Sequence, residues 1–395
     1  MSTETLASSK KMKNLLTIIV FIILIGSCQS NSDITGLDSI NEKLTIIYTG
    51  DADVVEFKMF EGLSQVLKHD SVTGVFKGIL EIQNLNEAIF TYEIVVHTKD
   101  SLGHMVELEP NKTLIKLNNN EAIEKGDRFL WIGKSRNDSY LENEELTGSL
   151  ITERISSEFL EEEREITVYT PKEVSSKIPH IYCTDGSVVN SYAPYIDRLI
   201  STKRIEPVKL IGIHSSSSNR YEEYVKGSSN NEQFRKHQQF FYEEVVKTIE
   251  AEIENWEGKR YLFGFSNGGA FCMHEGINNP NEFVEIIAFS TADYIKNPLN
   301  LLSEEDLKRI ETLDPEAKEE ILQYLKPIEF KFEQYPRFYM GAGRYEESIF
   351  KDNLEFLEVM KENDIKVDFK EFVSGHDYNV WRIEFLEYIE TRFKK

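Results

Sequence analysis

The sequence predicts an α/β protein with a mainly parallel sheet, preceded by a small all-β domain. Three observations predict it. From about residue 150 onward, apolar strand-like runs alternate with helical patterns, the arrangement that builds a parallel sheet. From about Lys43 to Arg136 the apolar residues instead alternate with polar ones, the period of half-buried strands. Finally, Gly264-Phe265-Ser266-Asn267-Gly268 fits G-x-S-x-G, a pattern that belongs on a sharp strand-to-helix turn.

The elements follow in order. In the first half, Val75–Ile82 and Ala88–His97 read as two strands joined by a hairpin-like connection through Gln83-Asn84-Leu85-Asn86-Glu87. Thr113–Leu117 and Arg128–Ile132 add further strands. Together they predict a small sandwich, immunoglobulin-like, acting as a spacer and a wall. Tyr92 and Trp131 are read as core, since strand aromatics are usually buried. In the second half the expected strands are Glu165–Tyr169, Ile178–Cys183, Val208–His214, Lys259–Phe263, Glu285–Ser290, Arg337–Met340 and Lys366–Val373. Phe240, Phe241, Val245, Ile249, Ile253 and Trp256 recur at helical spacing. Glu161–Arg164 reads as a solvated edge, Ser215–Ser218 as a loop near the site, and Ser303–Leu325 as a charged helical insertion.

The amino terminus predicts a leader. Lys10, Lys11 and Lys13 precede the uncharged apolar run Leu15–Ile25, which is short for a membrane span and has the look of a signal peptide core. It ends in Ile25-Gly26-Ser27-Cys28, which resembles a bacterial lipobox. The expectation is cleavage before Cys28, lipidation of that cysteine, and a lipid-anchored protein of the bacterial cell envelope. The domain plan is then 1–27 leader, 28–42 polar tether, 43–147 sandwich and 148–395 α/β domain. Asn111 and Asn137 begin glycosylation sequons to which a bacterial lipoprotein gives no role.

Composition limits the partners. With 45 Lys and Arg against 68 Asp and Glu the net charge is −23, and loss of residues 1–27, with three lysines and one glutamate, takes it to −25. Nucleic acid, which needs a basic face, is excluded as an expected partner. Arg220 and Arg344 are the candidates for any local basic patch. Besides Cys28, only Cys183 and Cys272 remain, read as buried free thiols. No metal set and no cofactor are expected, because His274-Glu275 lacks the second histidine of a zinc-binding helix.

The chemistry-bearing residues start from the motif. Glycine on both sides of Ser266 permits a strained turn that holds the hydroxyl above the end of the sheet. A serine needs a base to become a nucleophile. Of eight histidines two lie beyond Ser266. His274 falls in the following helix and reads as packed, whereas His376 sits in a loop after the last strand-like run, where the base belongs. The acid belongs after the preceding strand, where Glu346 and Glu347 stand in Gly341-Ala342-Gly343-Arg344-Tyr345-Glu346-Glu347. Spacing does not choose between them. Asp185, which precedes the serine, and Asp352, read as a helix start, are weaker. One oxyanion donor is expected at the N–H of Asn267, and another at the turn Thr184-Asp185-Gly186-Ser187.

Four ordered segments then carry a resemblance. Tyr182-Cys183-Thr184-Asp185-Gly186, Asn219-Arg220-Tyr221-Glu222-Glu223-Tyr224, Gly264-Phe265-Ser266-Asn267-Gly268-Gly269 and Gly375-His376-Asp377-Tyr378-Asn379-Val380-Trp381-Arg382 look like the putative-esterase family of α/β-hydrolases. That family includes enterochelin (siderophore), feruloyl and acetyl-xylan esterases, S-formylglutathione hydrolases and mycolyltransferases. The resemblance covers roughly residues 150–395. It implies the α/β-hydrolase fold, Ser266 as nucleophile, His376 as base, Glu346 in preference to Glu347 as acid, and Ser187 as the second oxyanion donor. Asp185, Gly186, Arg220, Tyr378 and Trp381 are then expected around the substrate. The expected activity is serine ester hydrolysis on a small-molecule or glycan-linked ester. An acyltransferase using the same residues, or a binding lipoprotein that has lost turnover, are the alternatives.

Overall fold

The computed structural model describes residues 41–108, 115–117, 120, 121, 123–125, 128–136, 139, 145–226, 231–293, 304–315, 318, 319, 322 and 328–395. The chain divides into two compact units, Met1–Asn41 and Glu42–Lys395. The expected leader, Cys28, residues 28–40 of the tether, Asn111 and Asn137 lie outside the described residues. Among the described residues no helix is long and apolar enough to cross a membrane.

The first part of Glu42–Lys395 is a sandwich of two sheets. One orders Lys68–Asp70, Val75–Gln83, Asn41–Tyr48, Ile115–Leu117 and Asn120–Glu121. The other orders Ile123–Lys125, Arg128–Ile132, Ile89–Lys99, Val54–Met59 and Ser64–Val66, with Met105–Leu108 paired to Ile89–Lys99. Strand alternation turns Val55, Phe57 and Met59 inward from Val54–Met59. There Phe57 stacks on Tyr92 with ring centres 5.3 Å apart, and Tyr92 on Phe129 at 5.4 Å. Tyr92 is thus core, while Trp131 is half-buried.

The expected hairpin is not one. Val75–Gln83 pairs with Lys68–Asp70 and belongs to the first sheet, whereas Ile89–Lys99 belongs to the second. The connection between them crosses from sheet to sheet through a 3-10 turn at Leu85–Glu87. Leu85 explains this: it is buried in the sandwich core, so the segment is pulled across rather than left at a solvated turn.

The second part is an eight-stranded sheet with helices on both faces. In chain order its strands are β1 Ser149–Ser157, β2 Glu162–Thr170, β3 His180–Cys183, β4 Lys209–Ile213, β5 Arg260–Phe265, β6 Glu285–Phe289, β7 Arg337–Gly343 and β8 Val367–Phe372. They lie in the order β1-β2-β4-β3-β5-β6-β7-β8. β2 is antiparallel to both its neighbours, and the other pairings of this sheet are parallel. Parallel pairing is confined to this sheet; over the three sheets together most pairings are antiparallel. β3, β4 and β6 are buried along their whole length, which suits runs covered on both faces. One face is covered by α1 Val189–Ser201 and the last helix Tyr378–Arg392, whose apolar residues join one cluster. The other is covered by a helical stretch from Asn231 to Ala251 and by Asn267–Asn278 and Ser348–Glu362.

Three sequence readings change. The helical stretch contains a π turn at Phe240–Val246 and ends at Ala251, so Ile253 and Trp256 lie beyond it. Asp352 does not start its helix, which begins at Ser348. Glu161–Arg164 is a solvated edge in its three glutamates, which are exposed, but not in Arg164, which is buried and donates through Nη1 at 2.8 Å and Nη2 at 2.7 Å to the buried Glu223. The sequence hid this because the two residues are 59 positions apart, with β3 and β4 between them.

The sandwich and the sheet share their cores. Ile89 and Leu130 of the sandwich join the cluster beneath the last helix, and Val373, just past β8, joins the sandwich core.

Candidate active site

The site starts at the end of β5. Ser266 has φ 53° and ψ −130°, a costly conformation for a non-glycine residue, held between β5 and the helix Asn267–Asn278. Its N–H donates to the Phe289 carbonyl at 2.9 Å, and its carbonyl accepts from Ala270 and Ala292, each at 3.2 Å. Thr184 Oγ1 fills the inside of the turn. A Cβ on Gly264 would meet it at 2.6 Å and a Cβ on Gly268 at 2.3 Å, so both glycines are demanded by contact. The outcome is a serine side chain fixed at the carboxyl end of the parallel strands.

Two further loops bring their side chains to it. Ser266 Oγ lies 2.9 Å from His376 Nε2, and His376 Nδ1 lies 3.1 Å from Glu346 Oε2. A carboxylate facing Nδ1 requires the proton there, which leaves the Nε2 lone pair toward the serine. Glu346 is 4% exposed; its Oε1 accepts from Ser290 Oγ at 2.5 Å and from Gly343 N–H at 2.6 Å. Trp381 Nε1 donates to that same Ser290 Oγ at 2.8 Å, and its ring stands edge-on to His376 with centres 4.5 Å apart. Glu347 is exposed and stands just before the next helix without a side-chain bond to it, so of the two glutamates only Glu346 meets the imidazole. His274 is elsewhere: it is buried on the helix after Ser266, burial pushes its imidazole down to about 3, and its Nδ1 faces Asn278 Nδ2 at 3.2 Å.

The turn after β3 lies beside Ser266 because β3 and β5 are parallel neighbours, with Cys183 opposite Phe263. Asn267 is the first residue of its helix, so its N–H has no acceptor within that helix. Ser187 sits exposed in the 3-10 turn Gly186–Val188. Asp185 and Gly186, expected around the substrate, are not among the walls of the cleft. Asp185 instead grips Arg220, which donates through Nε at 2.6 Å and Nη2 at 2.8 Å, while its own N–H donates to Tyr224 Oη at 2.8 Å. Gly186 is buried against Gly212. Arg220 also donates to Asn267 Oδ1 at 2.9 Å, and Asn267 Nδ2 to Asp293 at 2.8 Å. Neither arginine forms a basic patch, since Arg344 is paired with Glu371 and reaches the Gln83 carbonyl at 3.3 Å.

The cleft over Ser266 and His376 has a volume of about 410 Å³. Arg220, Tyr378 and Trp381 line it as expected, with Tyr378 Oη hydrogen-bonded to Ser191 Oγ at 2.7 Å. Phe60, Glu61 and Asp293 line it too, and no local pattern marks them. Phe60 and Glu61 come from the turn after Val54–Met59, so one wall belongs to the sandwich. Ser290, which joins Glu346 to Trp381, likewise carries no local signal. Cys183 and Cys272 are free and buried, and burial raises both thiols. Among the described residues no His, Cys, Asp and Glu cluster could hold a metal ion.

This arrangement is a serine, imidazole and carboxylate in one hydrogen-bonded row on a mixed α/β fold. Residues 157–326 match the family described as Putative esterase, a stretch that contains Ser266 and ends before Glu346 and His376. Among solved structures, the chain resembles ferric enterobactin esterase from Salmonella typhimurium, with TM-score 0.61 at 14% identity over 89% of this chain and 95% of that one. It also resembles the enterobactin esterase of Shigella flexneri determined in the presence of 2,3-di-hydroxy-N-benzoyl-glycine, with TM-score 0.59 at 14% identity over 89% and 94%. The family match is one of sequence; at such identity the structural likeness is one of fold. No curated protein matches the chain.

Proposed function

We propose that the protein is a serine carboxylic-ester hydrolase. The observation that carries the reading is the row Ser266–His376–Glu346, with contacts of 2.9 Å and 3.1 Å, at the head of a strained turn. His376 Nε2 takes the proton of Ser266 as Oγ attacks the ester carbonyl, whose electron pair moves onto oxygen. The N–H groups of Asn267 and Ser187 are assigned to that oxyanion, where loss of one donor costs about 3–4 kcal/mol. The imidazolium, steadied by Glu346, returns its proton to the leaving alkoxide. Water then gives a proton to His376 as it attacks the acyl-serine, and His376 passes that proton to Ser266 Oγ as the bond to the serine breaks and the acid leaves.

The substrate class assigned by resemblance is a siderophore or polysaccharide-linked ester. The proposed plan keeps an immunoglobulin-like sandwich over 43–147 and an α/β-hydrolase domain over 148–395, behind a leader cleaved before a lipid-bearing Cys28 in the cell envelope. Labelling with radioactive palmitate in cells, lost in Cys28→Ala, tests the anchor. Ser266→Ala tests the reaction. Turnover of p-nitrophenyl acetate and labelling by a fluorophosphonate are expected to vanish with an unchanged melting temperature. Full activity in that variant rejects the assignment.

A further inference from the structure

Tyrosines aside, Thr91 is the only buried polar side chain among residues 42–108 and 128–136. Its partners lie in the other region. Its N–H donates to the Asp377 carboxylate, and its Oγ1 accepts from Asn379 Nδ2 at 2.9 Å. Asp377 follows His376 directly and is 1% exposed. Its second oxygen accepts from Asn379 N–H at 2.7 Å, which caps the last helix. A buried carboxylate is tolerated only when its oxygens are filled in this way. More contacts with the sandwich flank these. Ile89 N–H donates to the Val373 carbonyl at 3.2 Å, and His376 N–H to the Glu61 carbonyl at 3.4 Å. A Cβ on Gly375 would lie 2.5 Å from the Phe60 carbonyl, so that residue must be glycine for the two segments to meet.

The segment 373–379, a loop and the first residues of the last helix, therefore has the sandwich along one side. We propose that Thr91 and Asp377 form a latch through which the sandwich sets the position of His376 against Ser266; this rests on the reading of Ser266, His376 and Glu346 as the reacting set. Both are positioning residues and touch no substrate. The reason to need a latch is geometric. Proton transfer from Ser266 depends on a 2.9 Å contact, and a displacement of about 1 Å costs on the order of 100-fold in rate. A loop that contains a glycine and precedes a helix does not hold that distance unaided.

The test uses the full mature chain. Asp377→Ser keeps an N-cap of comparable strength but is too short to reach Thr91. Thr91→Val removes the acceptor for Asn379 at nearly constant volume, and Thr91→Ser restores it. With p-nitrophenyl acetate, Asp377→Ser is expected to lower kcat about 10- to 100-fold with KM nearly unchanged. Thr91→Val is expected to lower kcat severalfold, and Thr91→Ser to recover it. The low-field proton resonance of His376 Nδ1–H is expected to weaken or shift in Asp377→Ser. If both Asp377→Ser and Thr91→Val keep the wild-type kcat and resonance while melting earlier, the contacts serve docking alone and the latch is overturned. If the wild type itself neither turns over nor labels, the esterase reading fails, and the resonance still decides whether the latch holds the imidazole.

Discussion

The two regions of the protein bury different things. The sandwich fills its interior with aromatic and branched side chains, and Thr91 is its one buried polar residue besides tyrosine among residues 42–108 and 128–136. The α/β region buries Arg164, Glu223, Glu275, Glu285, Glu346, His376, Asp377 and Glu384 as well. Buried charge costs free energy unless it is paired and hydrogen-bonded, so it collects where chemistry or a fixed loop geometry needs it. On this comparison the α/β region carries the reacting groups, and the sandwich acts as a rigid apolar body that reaches the site through a few main-chain contacts, Thr91 and a wall at Phe60 and Glu61.

The largest expected effect falls on the first half of that comparison. Glu346→Gln keeps the volume but removes the charge facing His376 Nδ1. By analogy with the equivalent change in serine proteases, kcat should fall about 10⁴-fold. Stopped assays at several enzyme concentrations would measure it; a loss under tenfold would mean that Glu346 only packs the loop. The second half is tested in the sandwich core. Phe57→Ala opens a cavity beneath Tyr92 and should cost about 3–5 kcal/mol. Because Val373 and Ile89 tie the two cores together, activity and near-ultraviolet dichroism are expected to be lost at one lowered temperature. Activity that outlives the unfolding of the sandwich would show the α/β region to be self-sufficient.

The same contrast explains what was legible in the sequence. Strand-and-helix alternation located β2 to β8 closely, because each carries several apolar residues between polar segments, and β3, β4 and β6 are buried end to end. β1, which is exposed at most positions, carried no such run and was missed. Ser266 and His376 were legible because glycine and chain order mark them. Spacing does not separate Glu346 from Glu347, since adjacent residues differ only in which way a turn points them; the resemblance favours Glu346, and it is Glu346 that faces the imidazole. The crossing at Leu85 was misread as a hairpin because polar asparagines surround it. Thr91, Ser290 and Glu61 left no sign, since their partners lie tens to hundreds of residues away and single-sequence patterns report only local periods.

A smaller effect concerns a buried charge that the proposed reaction does not use. Glu275 is enclosed on the helix that follows Ser266. Burial raises its carboxyl to about 7, against the hydrogen bonds of Tyr242, Asn279 and Gln238, which favour the charged form. The unfolded carboxyl titrates at about 4.3. Between these values the folded chain holds the proton more tightly, so this group's contribution is fully present below about pH 4.3 and is lost as pH rises toward 7. Its full size is on the order of 3 kcal/mol. Urea unfolding at pH 5 and pH 8 should show Glu275→Gln losing less stability than the wild type over that interval. Equal losses in both chains would assign the pH dependence to other groups.

The smallest expected effect separates the cleft from its wall. Glu61 and Asp293 line the cleft, and Glu347 joins Glu61 around an adjoining hollow of about 280 Å³. Arg220, the one arginine or lysine among the residues lining these two hollows, is already gripped by Asp185. The rim thus repels anions, and esters bearing a carboxylate should be poorer substrates than neutral ones of the same size. Glu61 is the informative position, because it belongs to the sandwich and its side chain is no part of the proposed proton path. Glu61→Gln should improve kcat/KM for the anionic ester about two- to fivefold at low salt, leave the neutral ester unchanged, and lose the difference near 0.5 M salt, where exposed charges are screened. A change shared equally by both esters would mean that Glu61 shapes the cleft sterically, and the sandwich would then contribute form to the site and no field.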